Sequence, residues 1–292
     1  MIFREVSARL FPWDFVDEDP DDILDTLERD TLCNSFYPVI LMHDEKRPLS
    51  EFYYAHNPRR KVYWTEDSRA TWHFDPAYYA ESRITPLPSE DPELVGTDWV
   101  QFSVDLARRR GMVAGVELSH TWVDKARLKA EFSDCLQRDI HGTAFPTPLC
   151  VNHPDTRAFA RALFTELAAR YELDFIQTCV LGFAGAPSYR QKLGEVERLI
   201  RLPLGACFCE HCQKEAEAHG LNWTAIVDRL RWLADGHNRY NHKQAFELNL
   251  LRHSTMTASQ LFVEMREFFA WFKFRTDSYT RFWKEIHAAA HA

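Results

Sequence analysis

Three of the seven cysteines fall within six residues, Cys207-Phe208-Cys209-Glu210-His211-Cys212, at the spacing C-x-C-x-x-C. Thiolates hold zinc at about 2.3 Å in tetrahedral groups of four, so this knuckle supplies three ligands and needs a fourth. Cys150 is the leading candidate, because it stands in a loop just before a helix start, where its side chain is free to turn. His211 is the alternative fourth ligand. The competing reading is a set of thiols buried as small apolar groups. A redox or catalytic role is disfavoured, because four thiolates close the coordination shell.

A second set of chemistry-bearing residues stands where apolar segments give out. Trp13, Asp14 and Asp17 follow the first such segment, and His43 and Asp44 the second. Glu117, His120 and Trp122 mark the third, and Gln177 and Cys179 the fourth. Carboxylates accept sugar hydroxyls, and indole faces stack on the apolar faces of sugar rings, so the set suits a sugar-like small molecule. Glu117, Asp14 and His120 are the catalytic candidates. Trp13, His43, Trp122, Gln177 and Arg59 are the substrate-binding ones. Each has a plainer reading: a buried ion pair for Glu117, a turn for Asp14, satisfied histidines at 43 and 120. Arg59 belongs to the basic run His56-Asn57-Pro58-Arg59-Arg60-Lys61, which either reaches an anionic group on the substrate or is a solvated surface.

These groups need a scaffold. Apolar, β-prone segments over 3–11, 35–42, 112–118 and 174–181 alternate with helical patterns. Asp19-Pro20-Asp21-Asp22 reads as a helix start, continued by Ile23, Leu24 and Leu27. A helix over 98–110 stops at Gly111. Pro154-Asp155 opens another, with Phe159, Leu163, Phe164, Leu167 and Tyr171 at its apolar positions. Strand-helix alternation predicts a parallel sheet with right-handed crossovers. In a parallel barrel the functional groups sit at the C-terminal strand ends, where the residues above stand. Alternation along the third strand puts Glu117 on one face and Val116 and Leu118 on the other, and Gln177 shares the inward face.

Residues 44–92 are rich in Pro and aromatic residues and read as a long excursion, with a hairpin between 61–64 and 70–74. Residues 123–151 read as irregular. From residue 213 onward the pattern is helical, ending in an apolar-spaced stretch over 259–292. The expectation is an α/β fold: one parallel (β/α) barrel-like domain of TIM type over 1–292. It is expected to be partial, with about four recognisable strands, because eight units take about 250 residues. The Cys-rich knuckle and helices occupy 205–292.

Hydrophobic residues make up 46% of the 292, enough to exclude a disordered or fibrous chain. With 35 Lys+Arg against 43 Asp+Glu the formal charge is −8, which disfavours a nucleic-acid partner. No apolar run approaches the roughly 20 residues of a bilayer span. The acid Glu5 stands where a secretory signal would carry its apolar stretch, and the odd cysteine count suggests no disulfide framework. A cytoplasmic protein is expected, with no membrane partner and with homo-oligomerisation open. Asn222-Trp223-Thr224 reads as a helix cap.

Leu149-Cys150-Val151-Asn152-His153-Pro154, taken with the knuckle, resembles family 42 glycoside hydrolases. In those (β/α)8-barrel β-galactosidases a Cys just before an Asn-x-Pro helix joins a later C-x-C-x-x-C to hold a structural zinc. Related uncharacterised glycosyl-hydrolase-like barrels carry the same knuckle. The resemblance spans roughly residues 112–235 and implies Cys150, Cys207, Cys209 and Cys212 as zinc ligands on a carbohydrate-active barrel. One departure bears on activity. The family's strand between the two Cys elements ends in Asn-Glu, the Glu being the acid/base. Here the strand is Phe175-Ile176-Gln177-Thr178-Cys179-Val180, with no carboxylate. Retaining hydrolysis needs two carboxylates about 5–5.5 Å apart, and the sequence does not name that pair. The readings that follow are a glycoside-hydrolase-like protein with structural zinc, a non-catalytic carbohydrate-binding or partner-docking barrel, and a metal-dependent sugar isomerase or epimerase using Glu117 with His43 or His120.

Overall fold

The computed structural model describes residues 4–48, 57, 59–119, 122–179, 202–235 and 258–292. The chain divides into two compact units. One comprises Met1–Arg127, Ala158–Leu181 and His287–Ala292, the other Leu128–Arg157 and Gly182–Ile286. Together they make a mixed α/β chain with a four-stranded parallel sheet and C-terminal helices. Among the described residues this sheet does not close into a barrel.

In the first unit β1 (Ser7–Leu10), β2 (Ser35–Leu41), β3 (Val113–Ser119) and β4 (Phe175–Cys179) lie side by side in chain order, every pair parallel. After β1 come a short helix, α1 (Pro12–Asp17), and α2 (Pro20–Thr31). Asp19 caps α2 by accepting from the backbone N–H groups of Asp21 and Asp22, and Leu32 ends it in the left-handed region. α3 (Trp99–Arg110) is capped by Asp98 and stopped by Gly111 at φ 67°, where a residue without Cβ is unstrained. Three arginines in its last turn suit the negative end of the helix dipole.

Register fixes which side chains share a face. Glu117 pairs with Gln177 and Val39, and Phe175 with Gly115. The Phe175 ring lies so close over Gly115 that a Cβ there would overlap it. Val116 and Leu118, on the opposite face, are fully buried.

The excursion differs from expectation. Residues 62–65 pair not with 70–74 but with Glu45–Pro48, antiparallel, placing Lys46 opposite Trp64. Thr65 locks that register by donating to the His43 carbonyl and accepting from the Glu45 N–H. Arg69–Ala70 instead pairs in parallel with Leu87–Pro88. Farther on, the excursion is pinned by Glu166, which is fully buried and accepts from Tyr79 Oη (2.6 Å), Asp75 N (2.6 Å), Arg170 Nη1 (2.6 Å) and Trp72 Nε1 (3.4 Å). Four donors make that buried carboxylate tolerable.

The second unit contains structure where the sequence read as irregular: Leu136–Arg138 pairs antiparallel with Ala144–Leu149. Its turn is held by Asp139, which accepts from the N–H groups of His141 and Thr143. Helices α5 (Glu210–Ala218), α6 (Trp223–Asp235) and α7 (Arg266–Ala290) contribute much of its core among the described residues. α7 buries Phe268, Trp271, Phe274, Ser278, Phe282 and Ile286, a spacing of three and four residues that keeps one face inward. α4 (Pro154–Arg170) gives its first turn to this unit and its remainder to the first. No helix among the described residues is long and apolar enough to cross a membrane.

Candidate metal centre and strand-end residues

The knuckle begins beside the antiparallel pair, where Phe208 N donates to the Arg138 carbonyl at 2.7 Å. Cys209 then stands at the N-terminus of α5 and Cys212 in its first turn. Cys150 ends the segment Ala144–Leu149, just ahead of α4, with its N–H on the Cys135 carbonyl at 2.8 Å. These local geometries converge. Cys150, Cys207, Cys209 and Cys212 are all buried, and their four sulfurs lie within 4.8 Å of one another. Cys150 Sγ is 3.4 Å from Cys209 Sγ and 3.6 Å from Cys212 Sγ. His211 is not in this group; its ring packs on His153 at 4.2 Å.

This arrangement fits a tetrahedral metal ion. Zinc–thiolate bonds of about 2.3 Å set sulfur–sulfur edges of about 3.8 Å, close to the observed separations. Hydrogen bonds among the thiols hold Cys209 below the usual thiol range and push Cys150 above it, the pattern of closely packed, mutually bonded sulfurs. Asn152 Nδ2 donates to Cys212 Sγ at 3.4 Å, the outer contact that steadies a ligating sulfur. A divalent ion on four thiolates carries net charge −2, and a buried cation stands nearby. Arg275 lies 4.6 Å over the Trp271 ring, and burial lowers its guanidinium to about 10 while charge on Tyr279, Cys212 and Cys207 opposes that shift. The four cysteines thus form a buried cluster able to hold a metal ion.

In the first unit the residues after β1 gather. Asp14, buried in α1, accepts the Phe11 N–H at 2.9 Å. Asn57 Nδ2 bridges it to Asp17, at 3.5 Å from Asp14 Oδ1 and 2.7 Å from Asp17 Oδ2. Arg60 pairs with Asp17 and Glu93. Burial pushes Asp14 up to about 7, against the Phe11 and Asn57 hydrogen bonds. Trp13 stacks on Phe11 at 4.5 Å and tilts against Tyr63 at 4.9 Å. Its Nε1 is buried without an acceptor among the described residues.

The other strand-end residues are more dispersed. Glu117, buried on β3, accepts from Arg9 Nη2 at 2.8 Å. His43 is half-buried with Nε2 3.9 Å from Glu45 Oε2, and burial lowers its pKa. Asp44 pairs with Lys125. Trp122 is buried edge-on to Phe164 at 6.0 Å, and Gln177 is exposed. Arg59 is exposed, whereas Arg60 turns inward. Asn57 Oδ1 accepts both N–H groups, so the turn at Asn57 decides which arginine meets Asp17. Asn57 and Arg60 belong to the basic run, yet adjacent arginines carry no signal of which one faces in. His120 lies outside the described residues.

No family model matches this chain, and no curated protein matches it. Among solved structures it is distantly similar to alpha-L-fucosidase isoenzyme 2 from Paenibacillus thiaminolyticus, at 15% identity and a TM-score of 0.40. The similarity covers 80% of this chain and 29% of that one, so the chain spans less than a third of that protein's length. A likeness of this size bears on neither fold family nor activity.

Proposed function

We propose that this chain is a carbohydrate-active, glycoside-hydrolase-like protein whose four parallel strands belong to a (β/α) barrel and whose four cysteines hold a structural zinc. One observation carries the reading: Cys150 comes to 3.4 Å from Cys209 across 59 positions of sequence. That convergence supports the resemblance to family 42 at the four positions that carry it. Thiolates select zinc over harder ions, and a shell of four protein ligands leaves no open position, so this metal stabilises rather than reacts.

The sugar-handling role falls to the strand ends of the first unit. Asp14 is the proton-bearing group, because a carboxyl titrating near 7 is matched to general acid work at neutral pH. Asp17 is its partner carboxylate, paired with Arg60. Trp13 adds the aromatic surface, with His43, Trp122, Gln177, Arg59 and His120 as further substrate contacts or proton carriers. Glu117 favours a second reading. Its pairing with Arg9 engages the carboxylate in a largely buried ion pair, which suits a non-catalytic carbohydrate-binding protein.

The test is a glycan-binding array together with aryl glycoside turnover, on wild type, Asp14→Asn and Glu117→Gln. Turnover lost in Asp14→Asn with sugar binding retained supports the enzyme. Binding without turnover in all three supports the second reading. Neither binding nor turnover on any sugar removes the carbohydrate assignment.

A further inference from the structure

Beside the four thiols, in the same unit, stands another set of metal-binding side chains. Asp134, Cys135, His153 and Asp155 each offer one ligand atom, and all four atoms lie within 4.8 Å of one another. Cys135 Sγ is 3.5 Å from His153 Nδ1 and 3.8 Å from Nε2. Asp155 Oδ2 is 3.9 Å from Nδ1, and Asp134 Oδ2 is 3.6 Å from Nε2. A zinc ion with a thiolate at about 2.3 Å and an imidazole nitrogen at about 2.0 Å places them about 3.5 Å apart at the tetrahedral angle. The Cys135–His153 pair already has that spacing.

The backbone holds this set in place. His153 N donates to the Cys150 carbonyl at 2.9 Å, and the Cys135 carbonyl accepts from Cys150 N. His153 also caps α4, its Nδ1 accepting the Asp155 N–H at 3.1 Å. Cys135 and His153 are buried, whereas half of the Asp134 side chain is exposed. The cluster is therefore buried at its sulfur and nitrogen, while its carboxylates reach toward solvent, Asp155 being 23% exposed.

We propose that Asp134, Cys135, His153 and Asp155 form a second divalent-metal site of the zinc class, one that exchanges its ion. Cys135 thiolate, His153 Nδ1 and the Asp155 carboxylate bind the ion, and Asp134 accepts the Nε2–H, fixing the ring's tautomer from behind. Binding releases the Cys135 thiol proton to solvent and takes Nδ1 away from the Asp155 N–H. That lost cap, with the single thiolate, makes the site weaker than the four-thiol one. A mixed sulfur, nitrogen and oxygen set selects zinc or cobalt over calcium or magnesium. Three protein ligands leave a fourth position for water, the feature that separates open zinc sites from closed ones. The rival account is that His153 is a helix cap alone.

The experiment uses the full chain under reducing conditions, with metal content read by plasma mass spectrometry. After a chelator wash one zinc equivalent should remain, and adding zinc should restore a second. Cobalt in the restored site should show a thiolate charge-transfer band weaker than a four-thiolate site gives. Cys135→Ser and Asp155→Asn should each lose the second equivalent and keep the first. Asp155→Asn leaves the backbone cap donor in place, so an unchanged circular dichroism spectrum separates ligand loss from misfolding. Cys209→Ser reports on the four-thiol site alone, which keeps failure of the two sites distinguishable. Wild type that takes up no second equivalent, or variants that take up as much as wild type, would overturn the proposal.

Discussion

The sulfurs of Cys150 and Cys209 stand 3.4 Å apart, although 59 positions of sequence separate the two residues. No strand pairing joins their segments among the described residues; the sulfurs meet within the buried cluster that also holds Trp223, Phe268 and Trp271. A metal bound there ties the loop before α4 to the start of α5. Changing either cysteine to Ser should therefore have the same effect. Each should lower the melting temperature of the second unit by on the order of 10 °C, several kcal/mol of lost stability in a unit of this size. Calorimetry checks this, and a large loss from Cys209→Ser beside none from Cys150→Ser would separate the two residues.

Asp14 makes stability fall as pH rises. Its carboxyl titrates at about 7 when folded against 3.8 unfolded. Between those values the folded chain keeps a proton that the unfolded chain has released. The stabilisation is thus complete below about pH 4 and lost as pH rises to about 7. The span corresponds to about 4 kcal/mol at most. Urea unfolding of wild type and Asp14→Asn across that range should show the wild type losing stability relative to the variant. A difference independent of pH would contradict the raised value.

Arg9 and Glu117 should behave as a buried pair. Glu117→Leu alone removes the carboxylate that faces the Arg9 guanidinium and should cost about 3 kcal/mol, whereas adding Arg9→Met should recover most of that. A double-mutant cycle on denaturation midpoints measures the coupling. Additive losses would show that the two side chains do not act together.

Glu166 anchors the excursion to α4. Glu166→Ala leaves the Tyr79 hydroxyl, the Trp72 indole and the Asp75 N–H without their acceptor, at a cost of about 3–5 kcal/mol. Limited proteolysis should then cut first within residues 72–79. Cleavage there at the wild-type rate would contradict the anchoring role.

Features set by neighbouring residues were legible in the sequence. Asp19, Asp98 and Gly111 announce helix ends because capping is local, and alternation of apolar patterns placed all four parallel strands. The partner of residues 62–65 was not legible, because pairing with Glu45–Pro48 is a long-range choice that Thr65 settles through the His43 carbonyl. Arg59 and Arg60 are equivalent in sequence, and only the turn at Asn57 separates them. Glu166 did leave a signal: it lies seven residues after Phe159 and three after Leu163, on the helix's apolar side. The four cysteines were legible through spacing and resemblance together, since spacing alone left His211 as an alternative.

X-ray absorption at the zinc edge tests the central assignment most directly, on full-length protein freed of exchangeable metal by a chelator. One zinc per chain should remain, surrounded by four sulfurs at about 2.3 Å and by no nitrogen or oxygen. Protein prepared under reducing conditions that retains no metal, or a shell with fewer than four sulfurs, would contradict it.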